Sequence, residues 1–327
     1  MRGPRVLITG AGGFVGIPTT QALLDRGFEV VALDNFSNSD PARLGALGQP
    51  PRLRVHQVDI RDHGAVARAV GSDPLWGVIH LAALHFIPYC VSHPGETLAV
   101  NVIGLQNLLD SLDSSPVERF LFASTAAVYR PSLRPHKETD PTEPTDVYGA
   151  SKLLGEQLVR IWAIRRGQSS TTIVRLFNVV GPGDTNPHVL HDIIKFLRYG
   201  NQLRLGNLMS RRDYIYVEDV ASIIVQLLVT GSEGVVNLGT GQSLSVAELV
   251  DRLRLIMARN LVVTTDPVKV RKTDRLNLQA ATGRLRALLP DLSLTSLDEG
   301  LSRHLMTEGL LPDSGLLLRD RQEIGRH

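Results

Sequence analysis

The sequence predicts an α/β fold: a doubly wound parallel sheet with a smaller carboxy-terminal α/β lobe. Three observations lead to it. The run Arg5-Val6-Leu7-Ile8-Thr9 is β-branched and apolar without alternation, as in a parallel strand covered on both faces. It ends at Gly10-Ala11-Gly12-Gly13-Phe14-Val15-Gly16, spaced G-x-x-G-x-x-G, and a helix follows through about Arg26. Further strand and helix patterns then alternate, and the second strand, Glu29-Val30-Val31-Ala32-Leu33, ends in the acid Asp34.

Composition bounds the reading. At 327 residues and 43% hydrophobic content the chain can build a large core. Charged residues make up 21% and the formal net charge is +2, which points to neither nucleic acid nor an anionic membrane as partner. No apolar run approaches the roughly 18 residues of a membrane span, and the amino terminus lacks a secretory pattern. The single cysteine, Cys90, cannot form an internal disulfide. A soluble, cytoplasmic enzyme is the expectation.

Glycines at 10, 13 and 16 permit a tight turn, close approach of backbone N–H groups to a pyrophosphate, and close helix packing. Phe14 and Val15 open the helix and belong to the same cradle; Pro18 falls in its first turn, where a missing N–H costs little. Asp34 can accept hydrogen bonds from an adenosine ribose and repels a 2'-phosphate. Asn35-Phe36-Ser37 offers no arginine to receive one, so NAD is expected over NADP. The strand Leu53–Val58 ends at Asp59-Ile60, expected at the adenine. The strand Trp76–Leu81 ends at Leu81-Ala82-Ala83, small enough to leave room for ribose and pyrophosphate. His80 reads as a buried strand residue, while His85 and Cys90 are placed on the pocket lip.

Asn101 precedes an amphipathic helix to Leu112, and Arg119–Ala123 is the next strand, ending in Ser124-Thr125. Pro131, Pro135, Pro141 and Pro144 make the segment 130–146 a loop. Tyr148 and Lys152 then share one helical face. A free phenol titrates near pH ~10, so a tyrosine base at neutral pH needs its pKa lowered by ~3 units. Lys152 supplies one positive charge, and an oxidised nicotinamide would supply another.

In this order, Gly10-x-x-Gly13-x-x-Gly16, Asp34, Asp59, Leu81-Ala82-Ala83, Asn101, Ser124-Thr125 and Tyr148-x-x-x-Lys152 resemble the extended short-chain dehydrogenase/reductase family. The segments Arg175–Pro182 and Arg212–Val220 are similar to those of its nucleotide-sugar epimerases and dehydratases. The resemblance implies a Rossmann domain, assigned to residues 1–176 with later segments returning to it, and a lobe, mainly 177–327, that closes over an NDP-sugar. It also implies tightly held NAD. Thr125 takes the place of the catalytic hydroxyl, Tyr148 that of the base, and Lys152 that of the residue lowering the tyrosine pKa and holding the nicotinamide ribose. Asn35 and Asn101 complete the implied cofactor set. Ser124, Asn178, Arg212, Arg271 and Asp274 fall at substrate positions, the two arginines as diphosphate clamps and Asp274 on the nucleotide ribose; Arg204 and Arg275 are left open. Arg130 departs from the family pattern, in which Val-Tyr is usually followed by Gly.

The function implied is NAD-dependent epimerisation at C4 of an NDP-sugar, UDP foremost, through a transient 4-keto intermediate. A 4-ketoreductase or a dehydratase on the same scaffold is the alternative, and a non-catalytic NAD-binding scaffold is the reading of a different class. Related dehydratases carry Asp-Glu directly after the catalytic Thr, and related decarboxylases an acid at the second position; here Ala126-Ala127 stand there. Gly183 occupies a position that is arginine in some uronate epimerases, and Leu278 the position that gates pocket width. His188 and His191 have no third ligand spaced to join them, so no metal is expected. A homodimer is expected, with Leu105, Leu108, Leu109, Leu154, Leu158 and Ile161 as its seam. The tail from Leu310, with Leu316-Leu317-Leu318, has no readable periodicity.

Overall fold

The computed structural model describes residues 3–48, 52–167, 170–270 and 275–312. Arg271 and Asp274, and the Leu316–Leu318 run, lie outside the described residues. The strands are β1 (Arg5–Thr9), β2 (Glu29–Asp34), β3 (Leu53–Gln57), β4 (Leu75–His80), β5 (Val117–Thr125), β6 (Thr171–Leu176), β7 (Asn178–Val180), β8 (Gln202–Leu205), β9 (Arg211–Tyr216), β10 (Gly234–Leu238), β11 (Ser243–Ser245), β12 (Val262–Thr265) and β13 (Asn277–Leu278). Seven of them form one sheet in the order β10-β6-β5-β4-β1-β2-β3, and every pairing in it is parallel.

The unalternated apolar runs follow from cover on both faces. In β1, Val6 and Ile8 join the layer packed by the helices Gly16–Asp25 and Val217–Thr230. Leu7 joins the opposite layer, with the helices His63–Val70, Gly104–Leu112 and Val147–Arg166. The next strand repeats the arrangement: Val30 and Ala32 face one way, Val31 and Leu33 the other.

Beyond β6 the chain builds a second body around Leu190, Ile193, Leu203, Leu249, Leu253 and Leu305, from the helices Val189–Leu197, Val246–Met257 and Leu297–Thr307 and short strands. The helix Val246–Met257 starts with a reciprocal capping box between Ser245 and Glu248. Between these segments β10 returns to the large sheet and pairs with β6, so the sheet is finished by residues far along the chain.

Several boundaries differ from the sequence reading. Ser124 and Thr125 belong to β5 itself. The helix expected from Val102 begins at Gly104, preceded by a π-helical turn, Ala99–Ile103, that contains Asn101. The residues assigned to a dimer seam divide: Leu105, Leu108 and Leu109 are buried in the chain's own core and Leu158 packs against it, whereas Leu154 and Ile161 are exposed. The physical reason is phase, since Leu105, Leu108 and Leu109 form the one stripe that faces the sheet.

Leu108 is 0% exposed, so Leu108→Ala should lower unfolding free energy by about 2–5 kcal/mol in a urea titration. A loss below about 0.5 kcal/mol, the scale of surface substitutions, would mean the helix is not packed as described.

Candidate active site

The carboxyl ends of β1, β2, β4, β5 and β6 place the expected residues along one edge. Gly10 has φ +69°, and a Cβ there would stand 2.7 Å from the Ala82 nitrogen; a Cβ on Gly16 would stand 2.0 Å from the Gly10 oxygen. Only glycine fits either place. A Cβ on Gly13 would meet nothing nearer than the Gly10 oxygen at 3.2 Å, so that side of the turn is open. The amides of Phe14 and Val15 have no hydrogen-bond partner among the described residues, and the helix begins at Gly16. An open glycine turn with unused donors at a helix amino terminus fits a pyrophosphate.

Asp34 is already employed in holding this turn. Its Oδ2 accepts from the Gly12 N–H (2.9 Å) and its Oδ1 from the Phe36 N–H (2.7 Å), which leaves further lone pairs for a ribose. Asn35 donates to Asp59 (3.2 Å), and Arg61 pairs with the same carboxylate at 2.7 Å. The Arg61 hydrogen bonds hold the Asp59 carboxyl down at about 2. Ile60 is 6% exposed and sits in the core, so its side chain does not line the groove. Leu81, Ala82 and Ala83 remain half-buried at the edge.

Asn101 acts as a brace. Its Nδ2 donates to the Leu84 carbonyl (2.9 Å) and to Ser151 Oγ (2.9 Å), while its Oδ1 accepts from the Leu84 N–H (2.8 Å). With all of this satisfied internally, Asn101 ties the loop after β4 to the helix that carries Tyr148 and Lys152. Asn101 makes these bonds from within the π turn, a local widening of the kind that recurs at functional sites.

Asp146 caps that helix by accepting from the Gly149 N–H (2.8 Å). Gly149 in turn lies against the Ala127 carbonyl, just beyond Thr125. Thr125 Oγ1 accepts from the Ala127 N–H (3.1 Å), which leaves its own proton free to be donated outward. Tyr148 is half-buried, and burial raises its phenol above the ordinary value while the neighbouring Thr125 side chain opposes the rise. Lys152 is 2% exposed; burial lowers its ammonium to about 7, against the pull of Glu156 one turn on. Its Nζ lies 4.2 Å from the centre of the Phe122 ring.

Ser124 does not reach the groove: its hydroxyl donates to Glu156 (2.6 Å) and the residue is 1% exposed. His80 is buried on Thr9 (2.7 Å) and kept neutral, its pKa lowered to about 3 by burial and by Lys152. Cys90, expected on the lip, is buried, whereas His85 is at the lip and meets Asn186 (3.1 Å).

On the far side, Asn178 opens β7, which pairs with β9. Arg212 in β9 donates to the carbonyls of Arg211 (2.9 Å) and Arg275 (2.8 Å). Arg275, left open by the sequence, grips the turn after Thr125 through the carbonyls of Tyr129 (2.9 Å) and Ala127 (2.8 Å). Arg204 pairs at 3.7 Å with Asp266. Sequence reasoning missed Glu156, which is 0% exposed and bonded to Arg175 at 2.9 and 2.8 Å. A signal was there: 148, 152 and 156 are successive positions on one helical stripe, so a charge at 156 falls on the buried side with Lys152.

A doubly wound sheet with a glycine cradle, an acid ending the second strand and a Tyr/Lys pair facing a threonine hydroxyl defines a dinucleotide-dependent enzyme. The chain belongs to the NAD dependent epimerase/dehydratase family, whose model matches residues 6–239. It is 32% identical over 274 residues to the UDP-glucose 4-epimerase of Yersinia pestis, covering 75% of this chain and 80% of that protein. With the UDP-glucose 4-epimerase of Lacticaseibacillus casei it shares 28% identity over 306 residues, 87% of this chain and 90% of the relative. The Thermus thermophilus UDP-glucose 4-epimerase in complex with NAD superposes with a TM-score of 0.80 at 28% identity, covering 93% of this chain and 99% of that one.

Lys152 is a cation held where burial disfavours its charge, so the sign of the linkage follows. Below about 7 it is charged in both folded and unfolded chains and the burial penalty is fully present; between about 7 and the ordinary 10.5 the penalty disappears. Lys152→Met should therefore raise the melting temperature of the cofactor-free protein at pH 6, by an amount that shrinks as pH rises through that window. A constant difference across a pH series of thermal melts would contradict the burial of the charge.

Proposed function

We propose that this chain is an NAD-dependent isomerase that inverts C4 of a nucleotide-diphosphate sugar, with UDP as the nucleotide and a 4-ketose as the transient intermediate. The observation that carries it is the convergence of Thr125, Tyr148 and Lys152 on the cradle edge, next to a turn in which Ala126 and Ala127 are buried and apolar. NAD, when bound, supplies the acceptor for the C4 hydride, its return to the opposite face of the sugar, and a positive charge near the phenol.

Tyr148 removes the proton from the C4 hydroxyl and later restores it. Because burial raises the phenol, its use as a base depends on positive charge nearby, which Lys152 supplies in its protonated form although burial lowers its pKa. Thr125, its oxygen already accepting from Ala127, donates its proton to the developing ketone oxygen. Arg212, with Asn178 and with Arg271 and Asp274, holds the nucleotide diphosphate and its ribose. Elimination across C5 and C6 would require an acid and a base that Ala126 and Ala127 cannot provide. Leu278, partly buried beside Phe177 and Tyr129, leaves space for a substituted sugar.

The relatives named for UDP-glucose 4-epimerisation support the substrate class. In this reading residues 1–176, with later segments returning to them, serve as the cofactor half, and mainly 177–327 as the sugar half. A homodimer belongs to the same reading, through the exposed Leu98, Ile103, Leu154, Ile161 and Ile164 on the neighbouring helical segments 94–103 and 147–166. Among the described residues no helix is long and apolar enough to cross a membrane. The cytoplasm is the proposed location, supported by a lone buried thiol.

With UDP-glucose and purified protein, NMR should show a mixture of C4 epimers, no net NADH, and no solvent deuterium at C5. Accumulation of a 4-keto-6-deoxy sugar would overturn the assignment in favour of a dehydratase. Tyr148→Phe should lower kcat by about 100-fold or more with cofactor still bound, the scale of general acid–base catalysis; normal turnover would remove the phenol from the mechanism. Ile161→Glu should convert the dimer to monomer in light scattering at micromolar concentration, and a monomeric wild type would refute the dimer.

A further inference from the structure

The ends of β4, β1 and β2 lie side by side in the sheet, with the glycine turn leaving from the middle strand. The segment 181–188, after β7, reaches the residues beyond both outer strands. At one end Asn186 Nδ2 is 3.1 Å from Nε2 of His85, which follows β4, and His188 packs edge-on against Phe86 with ring centres 5.7 Å apart. At the other end, a Cβ on Gly183 would stand 2.9 Å from a guanidinium nitrogen of Arg43, in the helix Pro41–Gly45 after β2. The segment therefore crosses over the end of β1 as a strap.

The chain before Arg43 reaches the same place. A Cβ on Gly12 would stand 2.7 Å from Ser39 Oγ and 3.1 Å from the Phe36 ring, so residues 36–39 lie directly on the glycine turn. Arg43 follows four residues after Ser39, and its guanidinium meets the strap at Gly183. Gly183, at φ +93°, leaves to the guanidinium the space a side chain would fill. Among the described residues the Arg43 guanidinium has no hydrogen-bond or ion-pair partner, whereas Arg61, Arg175 and Arg303 are each placed on a carboxylate. A forked guanidinium donor, carried by the segment that covers a turn with unused amides, is matched to a diphosphate, whose charge the glycine turn itself cannot neutralise.

We propose that Arg43 is a further cofactor-binding residue, closing on the diphosphate of the bound dinucleotide from the side opposite the glycine turn, with the strap 181–188 holding it there. The proposal rests on the glycine turn being the dinucleotide site. The turn offers neutral amides from beneath, Arg43 adds charge from above, and the dinucleotide leaves only when the strap lifts from His85 and Arg43. A nucleotide-sugar also carries a diphosphate, and the test separates the two sources.

Wild type, Arg43→Ala and Arg43→Lys, stripped of cofactor, are titrated calorimetrically with ADP-ribose, adenosine and UDP. Arg43→Ala should weaken ADP-ribose by about tenfold or more, the value of a charge-assisted contact, with Arg43→Lys recovering part of it and adenosine and UDP unchanged. Gly183→Ala, whose methyl group would displace the guanidinium, should weaken ADP-ribose in the same selective way. Unchanged ADP-ribose affinity in Arg43→Ala overturns the proposal. So does a loss confined to UDP, which would put Arg43 on the substrate, or an equal loss for adenosine and ADP-ribose, which would put it on the nucleoside. A wild type that binds neither adenosine nor ADP-ribose would refute the dinucleotide site itself, and the proposal with it.

Discussion

The buried ion pair between Glu156 and Arg175 is the constraint from which the rest of the site hangs. Glu156 lies one turn beyond Lys152 on the Tyr148 helix, and Arg175 lies in β6. Their two hydrogen bonds, with that from Ser124 in β5, fix the helix to the carboxyl ends of two adjacent strands. Arg175 also stacks on Tyr129, 4.6 Å from the ring centre, and Tyr129 reaches Asn237 of β10 at 2.6 Å. Removing one member of such a pair typically costs ~3–5 kcal/mol because it strands a buried charge. The register between Thr125 and Tyr148 is thereby set by charges rather than by apolar packing alone, which would tolerate a slide of the helix along the sheet.

The same neighbourhood explains the electrostatic state of Tyr148 and Lys152. The phenol is raised and the ammonium lowered, both by burial, so the apolar surroundings work against the charged form of each. Glu156 is the near counter-charge for Lys152, yet its oxygens are already taken up by Arg175 and Ser124. Tyr148 and Lys152 are thus held with unmet demand for charge, as expected where stability is given up for function.

Much of this is legible in the sequence. The large sheet, its unalternated strands, the glycine turn, Asp34 and the Tyr148/Lys152 face all follow from local periodicity and spacing, which is where sequence patterns carry most information. What escapes depends on contacts between distant segments. Ser124 and Thr125 are neighbours in the chain, but adjacent strand residues point to opposite faces, and Ser124 faces Glu156. Ile60 and the leucines at 105, 108 and 109 are apolar wherever they pack; only the folded structure decides which neighbour covers them. Arg43 and Arg275 are ordinary surface arginines by composition, and their positions are set by turns near Gly183 and Thr125 that no local pattern encodes.

The return of β10 to the edge of the sheet has a consequence for how the molecule is made. During synthesis β6 emerges long before β10, and residues 177–233 come between them. Until then β6 is an unpaired parallel edge, open to other chains, and Asn237 has not yet arrived to receive the Tyr129 hydroxyl. The large sheet is therefore completed only after much of the second body has left the ribosome. Such a long loop closure is the kind of non-local pairing that slows folding, and it ties the completion of the large sheet to residues on the far side of the second body.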